Sequence, residues 1–268
     1  MSHAWRTGTV ESDGETIYYE VVGSDDAPTV VLTHGAGGSH AVWYQQVPAL
    51  ADAGYRVVAW DSRGFGRSTF TTGRLGTAEA AADLDRVLDA SGAGRIHLVG
   101  QSMGGWWATA FAVAQPERLE TLTLSNTVGG LWTDALIQHF ATFVASTTPE
   151  DAVLGVHHAL SPSFAARDPA RAFLYQQLNT FHSPPLHAVG RALAGAHVEH
   201  RDIDALGIPV LVITGSDDAL FPAALVADSA RRLADVEVVE IADAGHSPYF
   251  ERPDEYNAAL LRHFRRAR

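Results

Sequence analysis

Short β-branched runs recur through the chain, several followed by glycine-rich loops and separated by longer stretches of helical periodicity. That alternation commits the sequence to an α/β class, a mostly parallel central sheet flanked by helices, because parallel neighbours need a crossover long enough to hold a helix. Thr29-Val-Val-Leu-Thr33, Tyr55-Arg-Val-Val-Ala59 and Arg95-Ile-His-Leu-Val99 read as interior strands, apolar towards both faces. Leu119 to Leu124, Pro209 to Thr214 and Val236 to Ile241 read as further strands, whereas Thr16 to Val22 alternates and starts an antiparallel edge. Thr77 to Ala90 puts Ala81, Leu84, Val87 and Leu88 on one helical stripe, with Glu79 and Asp83 near the N-terminal end where the dipole favours acids. A last helix begins at Pro253.

The pattern changes between Thr127 and Leu206, where no strand signal occurs but helical stretches carry Trp132, Phe140, Phe143, Phe164, Phe173, Tyr175 and Phe181. The chain therefore divides into a core, residues 1–126 and 207–268, and a helical insertion, residues 127–206. Its aromatics either pack the insertion itself or, for some of them, face a ligand.

Charge and composition exclude several functions. The 31 acidic residues outnumber 19 basic ones for a net charge of −12, so a broad phosphate-binding face, and with it nucleic acid, is not expected. There is no cysteine, which removes thiolate nucleophiles, disulfides and Cys-based metal sites. Every basic residue is arginine, so neither a Schiff-base lysine nor a Walker lysine exists. The opening MSHAWRTGTVESDG lacks the layout of a secretory signal, and no run of about 18 apolar residues occurs; the expectation is a cytoplasmic protein without a membrane partner. His157, His158, His182, His187, His197 and His200 show no HExxH spacing, read as surface or loop residues, and give no reason to expect a metal.

One segment carries chemistry. Gly100-Gln-Ser102-Met-Gly104-Gly105 lies between the strand ending at Val99 and the helical run Trp106 to Ala114. A GxSxG match alone is weak in a chain with 24 glycines, but the strand, tight turn and helix around it make Ser102 a candidate nucleophile, its flanking glycines removing side chains that would collide. A serine hydroxyl needs a base, and the base an orienting acid. Gly215-Ser-Asp217-Asp218 follows one strand and Gly245-His246 the next, so hydroxyl, carboxylate and imidazole all fall at the C-terminal edge of one sheet. Trp106 and Trp107 read as core.

These motifs, with His34-Gly35-Ala36-Gly37-Gly38 and Asp61-Ser-Arg63-Gly64-Phe-Gly66-Arg-Ser68, make nearly the whole chain resemble the α/β-hydrolases of the esterase, lactonase and carbon–carbon hydrolase group. The resemblance implies a lid inserted after the sixth strand, here residues 127–206, and puts the acid on Asp218 rather than Asp217. It implies His246 as base, the backbone amides of Ala36 and Met103 as the oxyanion hole, loop geometry for Asp61 and Arg63, and no cofactor. The sixth-strand loop, where some members carry the acid, holds Asn126 and no carboxylate. The expected activity is hydrolysis of an ester, lactone or similar activated carbonyl in a small, largely apolar substrate. Carbon–carbon bond hydrolysis is the alternative within the family, weakened by Ser247 where such enzymes carry an aromatic residue after the histidine. A receptor that keeps the triad is the alternative outside catalysis, and sustained turnover separates it from an enzyme.

Overall fold

The computed structural model describes residues 3–146, 156–179 and 183–267, so Phe181 and His182 lie outside the described residues. Eight strands form one sheet in the order β1-β2-β4-β3-β5-β6-β7-β8. They are β1 (Trp5–Ser12), β2 (Glu15–Val22), β3 (Thr29–Thr33), β4 (Arg56–Trp60), β5 (Ile96–Gln101), β6 (Leu119–Ser125), β7 (Val210–Gly215) and β8 (Val236–Ile241). β1 with β2 and β2 with β4 are antiparallel; every other pair is parallel. The edge is β1 rather than Thr16 to Val22, which is the second strand in. β1 exposes most of its residues and so carries no apolar signature, while β2 buries Ile17, Tyr18, Tyr19 and Val21.

Alternate residues of the interior strands feed two cores. Val31 and Leu98 face one, Val30, Leu32 and Val99 the other, as the two-residue period of a strand requires. The first core is closed by α2 (Thr77–Ser91) and α3 (Met103–Ala114), through Leu84, Leu88, Trp107 and Phe111. The second is closed by α1 (Gln46–Asp52) and the last helix, Pro253–Phe264, through Leu50, Tyr256 and Leu260. Between β6 and β7 come only helices among the described residues: α4 (Asp134–Ser146), α5 (Phe164–Arg167), α6 (Pro169–Leu178), α7 (Leu186–Ala194) and α8 (His200–Asp204). After β7 lies α9 (Ala223–Ala230), and after β8 lie α10 (Pro248–Glu251) and α11, the closing helix.

Asp83 does more than complement a helix dipole. It faces inward and binds Arg63 through Nε at 2.7 Å and Nη2 at 2.6 Å, both side chains fully buried. Removing one partner of such a pair leaves an uncompensated charge and costs about 3–5 kcal/mol. Asp61, likewise buried, accepts the N–H groups of His40 at 2.6 Å and Arg67 at 2.8 Å, which fixes the loop after β4.

Candidate active site

β3, β5, β6, β7 and β8 are consecutive in the sheet and parallel, so the loops leaving their C-terminal ends lie side by side on one rim. Ser102 stands at the end of β5, as the residue before α3, with φ 50° and ψ −122°. A non-glycine residue there is strained by about 1–3 kcal/mol and persists only because its surroundings impose it. Here the imposition is close packing. A Cβ on Gly100 would lie 2.4 Å from the Gly104 carbonyl oxygen, and one on Gly104 would lie 2.4 Å from that of Thr33. The turn can therefore be this tight only with glycine on both sides of Ser102.

Asp218 and His246 meet. His246 Nδ1 is 2.9 Å from Asp218 Oδ2, and both residues are buried. Asp217, the other candidate acid, is exposed, and its Oδ1 accepts from the neighbouring Ser216 Oγ at 3.0 Å. Asp218 Oδ1 accepts the N–H groups of Leu220 at 2.9 Å and Phe221 at 3.0 Å, while Asn126 Nδ2 donates to Oδ2 at 2.9 Å. These donors offset the cost of burying the carboxylate and aim it. Gly215 and Gly245 make the meeting possible, since a Cβ on Gly215 would lie 2.1 Å from the Gly245 oxygen. The His246 backbone is fixed in turn by Gln101, whose Nε2 donates to its carbonyl oxygen at 3.0 Å.

Across the ring, His246 Nε2 is buried and has no hydrogen-bond partner among the described residues. His246 and Ser102 line one cavity, whose floor includes Gly35 and Ala36. Gly35 abuts the serine: a Cβ there would lie 2.9 Å from Ser102 Cβ. His34 holds this floor in place, its ring contacting the Gly35 carbonyl oxygen through Nδ1 at 2.8 Å and accepting the Ser62 N–H at Nε2 at 3.1 Å. Full burial depresses its pKa, the neutral form that this bonding needs. Met103 is the first residue of α3, so its N–H has no intrahelical acceptor.

The cavity holds about 40 Å³, where a single water needs roughly 10–15 Å³. The insertion contributes His157, Tyr175 and Asn179 to the cavity's lining, with Tyr249 from α10. This wall is richer in hydrogen-bonding groups than a largely apolar substrate requires. Of the aromatics read from sequence, Tyr175 reaches the cavity. Trp132 packs 5.7 Å from Trp106, and Phe140 stacks 5.8 Å from Phe221, joining the insertion to the core. Phe164 is buried against Phe250, and Phe173 points to solvent. Trp106 and Trp107 are core residues. His158, His187 and His197 are exposed, whereas His157, though in a loop, lines the cavity.

Three supporting residues escaped the sequence reading. Asn126 sits at φ 48° directly after β6, next to β7 in the sheet, and that placement was the available signal for a contact with Asp218. Gln101 carried none. Glu251 accepts the N–H groups of Gly245 and Ser161, each at 2.8 Å, and so ties the His246 loop to the insertion. Burial raises the Glu251 pKa against those bonds.

The family model for the alpha/beta hydrolase fold matches residues 28–253, and the chain belongs to that family. Over 256 residues it is 32% identical to "Putative carbamate hydrolase RutD" of Variovorax paradoxus, covering 91% of this chain and 94% of that protein. It is 28% identical over 253 residues to 3-oxoadipate enol-lactonase 1 of Acinetobacter baylyi, covering 91% of each. Among solved structures, a thermophilic esterase from Thermogutta terrifontis superposes with a TM-score of 0.79 at 26% identity, covering 99% of this chain and 98% of that one. The chain is a hydrolytic enzyme of this fold. None of its described helices is long and apolar enough to cross a membrane.

Proposed function

We propose that the protein is a serine hydrolase that opens an ester, lactone or carbamate-type carbonyl of a small substrate through an acyl-enzyme. Ser102 Oγ bonds to the carbonyl carbon as its proton passes to His246 Nε2, and the carbonyl electron pair moves onto oxygen. The N–H groups of Ala36 and Met103 receive that oxyanion; losing one such donor costs about 2.7–4 kcal/mol of barrier. Collapse expels the leaving group, which takes the proton from His246 and leaves Ser102 acylated. Water, deprotonated by the same imidazole, then releases the acid and restores the serine. Asp218 holds the imidazole by Nδ1–H and stabilises its cation.

One observation carries this reading. His246 commits Nδ1 to Asp218 at 2.9 Å and leaves Nε2 buried, without a partner among the described residues, beside the cavity that Ser102 lines. An imidazole nitrogen left open on the cavity that a serine also lines, with the other nitrogen held by a carboxylate, is what a general base requires. The relatives named for carbamate and lactone hydrolysis support the substrate class, and the lid reading of the helical insertion rests on His157, Tyr175 and Asn179 lining the cavity.

A fluorophosphonate probe followed by peptide mapping tests the assignment. Label is expected on the Ser102 peptide, with nitrophenol turnover from short-chain esters; both vanish in Ser102→Ala. Label on any other peptide, or a stoichiometric release without turnover, overturns it.

A further inference from the structure

We propose that His157 determines specificity: its Nε2–H donates a hydrogen bond to a second oxygen acceptor in the acyl part of the substrate, so the preferred substrates are short acyl groups carrying an ether, hydroxyl or carbonyl oxygen. The inference rests on the serine-hydrolase reading above and adds the chemistry of the group that the cavity houses.

The tautomer comes from geometry. The Ala159 N–H donates to His157 Nδ1 at 3.1 Å, which makes that nitrogen the acceptor; in a neutral imidazole the other nitrogen then carries the proton. Nε2–H has no hydrogen-bond partner among the described residues, and the ring lines the cavity with Ser102 and His246. A donor on a residue that lines the cavity, with no partner among the described residues, can complete its hydrogen bond on a bound acceptor.

The ring is also held. Tyr175 meets it edge-on, centroids 4.8 Å apart and planes at 72°, and the Tyr175 hydroxyl is itself tied to Ser247 Oγ at 2.7 Å. The backbone on either side is anchored, by Gln176 Nε2 to the Val156 carbonyl oxygen at 2.6 Å and by the Leu160 N–H to the His157 carbonyl oxygen at 2.9 Å. A donor fixed in this way loses little rotamer freedom when a ligand arrives.

Burial first, and then the neighbouring His158 and His246, lower the His157 pKa to about 4, so the ring is neutral at neutral pH. Neutrality matters to the reaction, because a second cation here would oppose the imidazolium that forms on His246.

Size assigns the acceptor to the acyl side. A cavity of about 40 Å³ suits a short chain of a few atoms better than an aromatic ring, so the acyl group is the part placed there. Asn179 adds an acceptor to the same wall: its Nδ2 donates to the Tyr175 carbonyl oxygen at 2.8 Å, leaving Oδ1 towards Gly37.

A matched pair of esters tests the inference, 4-nitrophenyl methoxyacetate and 4-nitrophenyl butyrate, whose acyl chains have equal length and differ by one oxygen. The ratio of their kcat/KM values is measured in wild type, His157→Phe and His157→Gln; comparing enzymes cancels the intrinsic reactivity of the esters. Phe keeps an aromatic ring but removes the donor, and Gln restores an N–H. The ratio is expected to fall roughly three- to tenfold in His157→Phe and to stay within about twofold of wild type in His157→Gln. Fluorophosphonate labelling of Ser102 in both variants establishes that the site is intact. An unchanged ratio in a labelled His157→Phe, or equal losses in both variants, overturns the role of His157 while leaving the serine hydrolase standing. Failure to label wild-type Ser102 overturns the underlying reading instead.

Discussion

On the sheet rim, Ser102, Asp218 and His246 are tied to the main chain or to a strand end: the Ser102 N–H is held by the Ser125 carbonyl oxygen, the Asp218 carboxylate by two backbone N–H groups, and the His246 carbonyl oxygen by Gln101 at the end of β5. Across the cavity, His157, Tyr175 and Asn179 come from a loop and a helix that meet the rim through side chains, the Tyr175 hydroxyl on Ser247 and the Ser161 N–H on Glu251. The first arrangement fixes atoms relative to a sheet; the second fixes a helix that could shift without disturbing any strand. In the proposed reading, chemistry that tolerates little misplacement falls to the rim, and recognition, which can vary, falls to the insertion.

The contrast predicts a ranking of effects. Asp218→Asn is expected to lower kcat by about 10⁴, because an amide in that place turns the imidazole towards the wrong tautomer. A smaller loss at Asp218 than at His157, measured on the same ester, would reverse the division between rim and insertion. Asn126→Gly comes next. Glycine keeps the φ of 48° free of strain and removes the amide that donates to Asp218 at 2.9 Å and to the Gly245 carbonyl oxygen at 3.2 Å and that accepts from Ser125 Oγ at 3.3 Å, so the effect belongs to those side-chain bonds and not to the backbone. Bonds to charged groups contribute about 1.5–3 kcal/mol, so kcat/KM is expected to fall roughly ten- to a hundredfold, with the thermal midpoint lowered by several degrees and the fold retained. Unchanged kcat/KM would mean that the Leu220 and Phe221 amides orient Asp218 unaided.

The same contrast explains what could be read in advance. Gly100, Gly104, Gly215 and Gly245 stand where a Cβ would strike backbone, so their positions advertise the elbow and the loops that carry Asp218 and His246. The interior strands were legible because burial on both faces leaves continuous apolar runs, while β1, solvated on most of its length, left none. Asn126 gave no such sign, since an asparagine after a strand fits many turns. In the insertion, Phe173 and Tyr175 belong to one residue class and one helix, yet one is exposed and the other lines the cavity. Helix rotation decides between them, and that depends on contacts with α10 and the rim loops that local periodicity does not encode.

A test at the other end of the sheet asks how far the rim is insulated. Glu15 accepts from Thr69 Oγ1 at 2.6 Å, the Thr71 N–H at 2.8 Å and the Thr72 N–H at 2.7 Å. Burial pushes its pKa up, but these bonds outweigh it and lower the value from 4.5 to about 2. A carboxylate depressed in the fold stabilises above its unfolded pKa, and that contribution is lost as pH falls from 4.5 towards 2. Urea midpoints should therefore drop for wild type over that window, while Glu15→Gln starts lower at pH 6 and declines less. Its kcat/KM at neutral pH should match wild type; a loss would mean that the loop after β4 transmits strain to the His34 floor.

The smallest effect is expected at Phe173. Its ring is 44% exposed, whereas Ala172 is fully buried and Tyr175 is 4% exposed on the same helix, so α6 turns one face to the core and Phe173 lies off it. Phe173→Ser removes surface that is largely wet already, and substitutions of that kind stay within about 0.5 kcal/mol, or about 2 °C in midpoint. The large ring then contributes little to stability, and activity on the matched esters should be unchanged because Tyr175 keeps its bond to Ser247. A midpoint lowered by about 5 °C or more would mean that the ring is covered in solution, and the rotation of α6 that brings Tyr175 and Asn179 to the cavity would have to be redrawn.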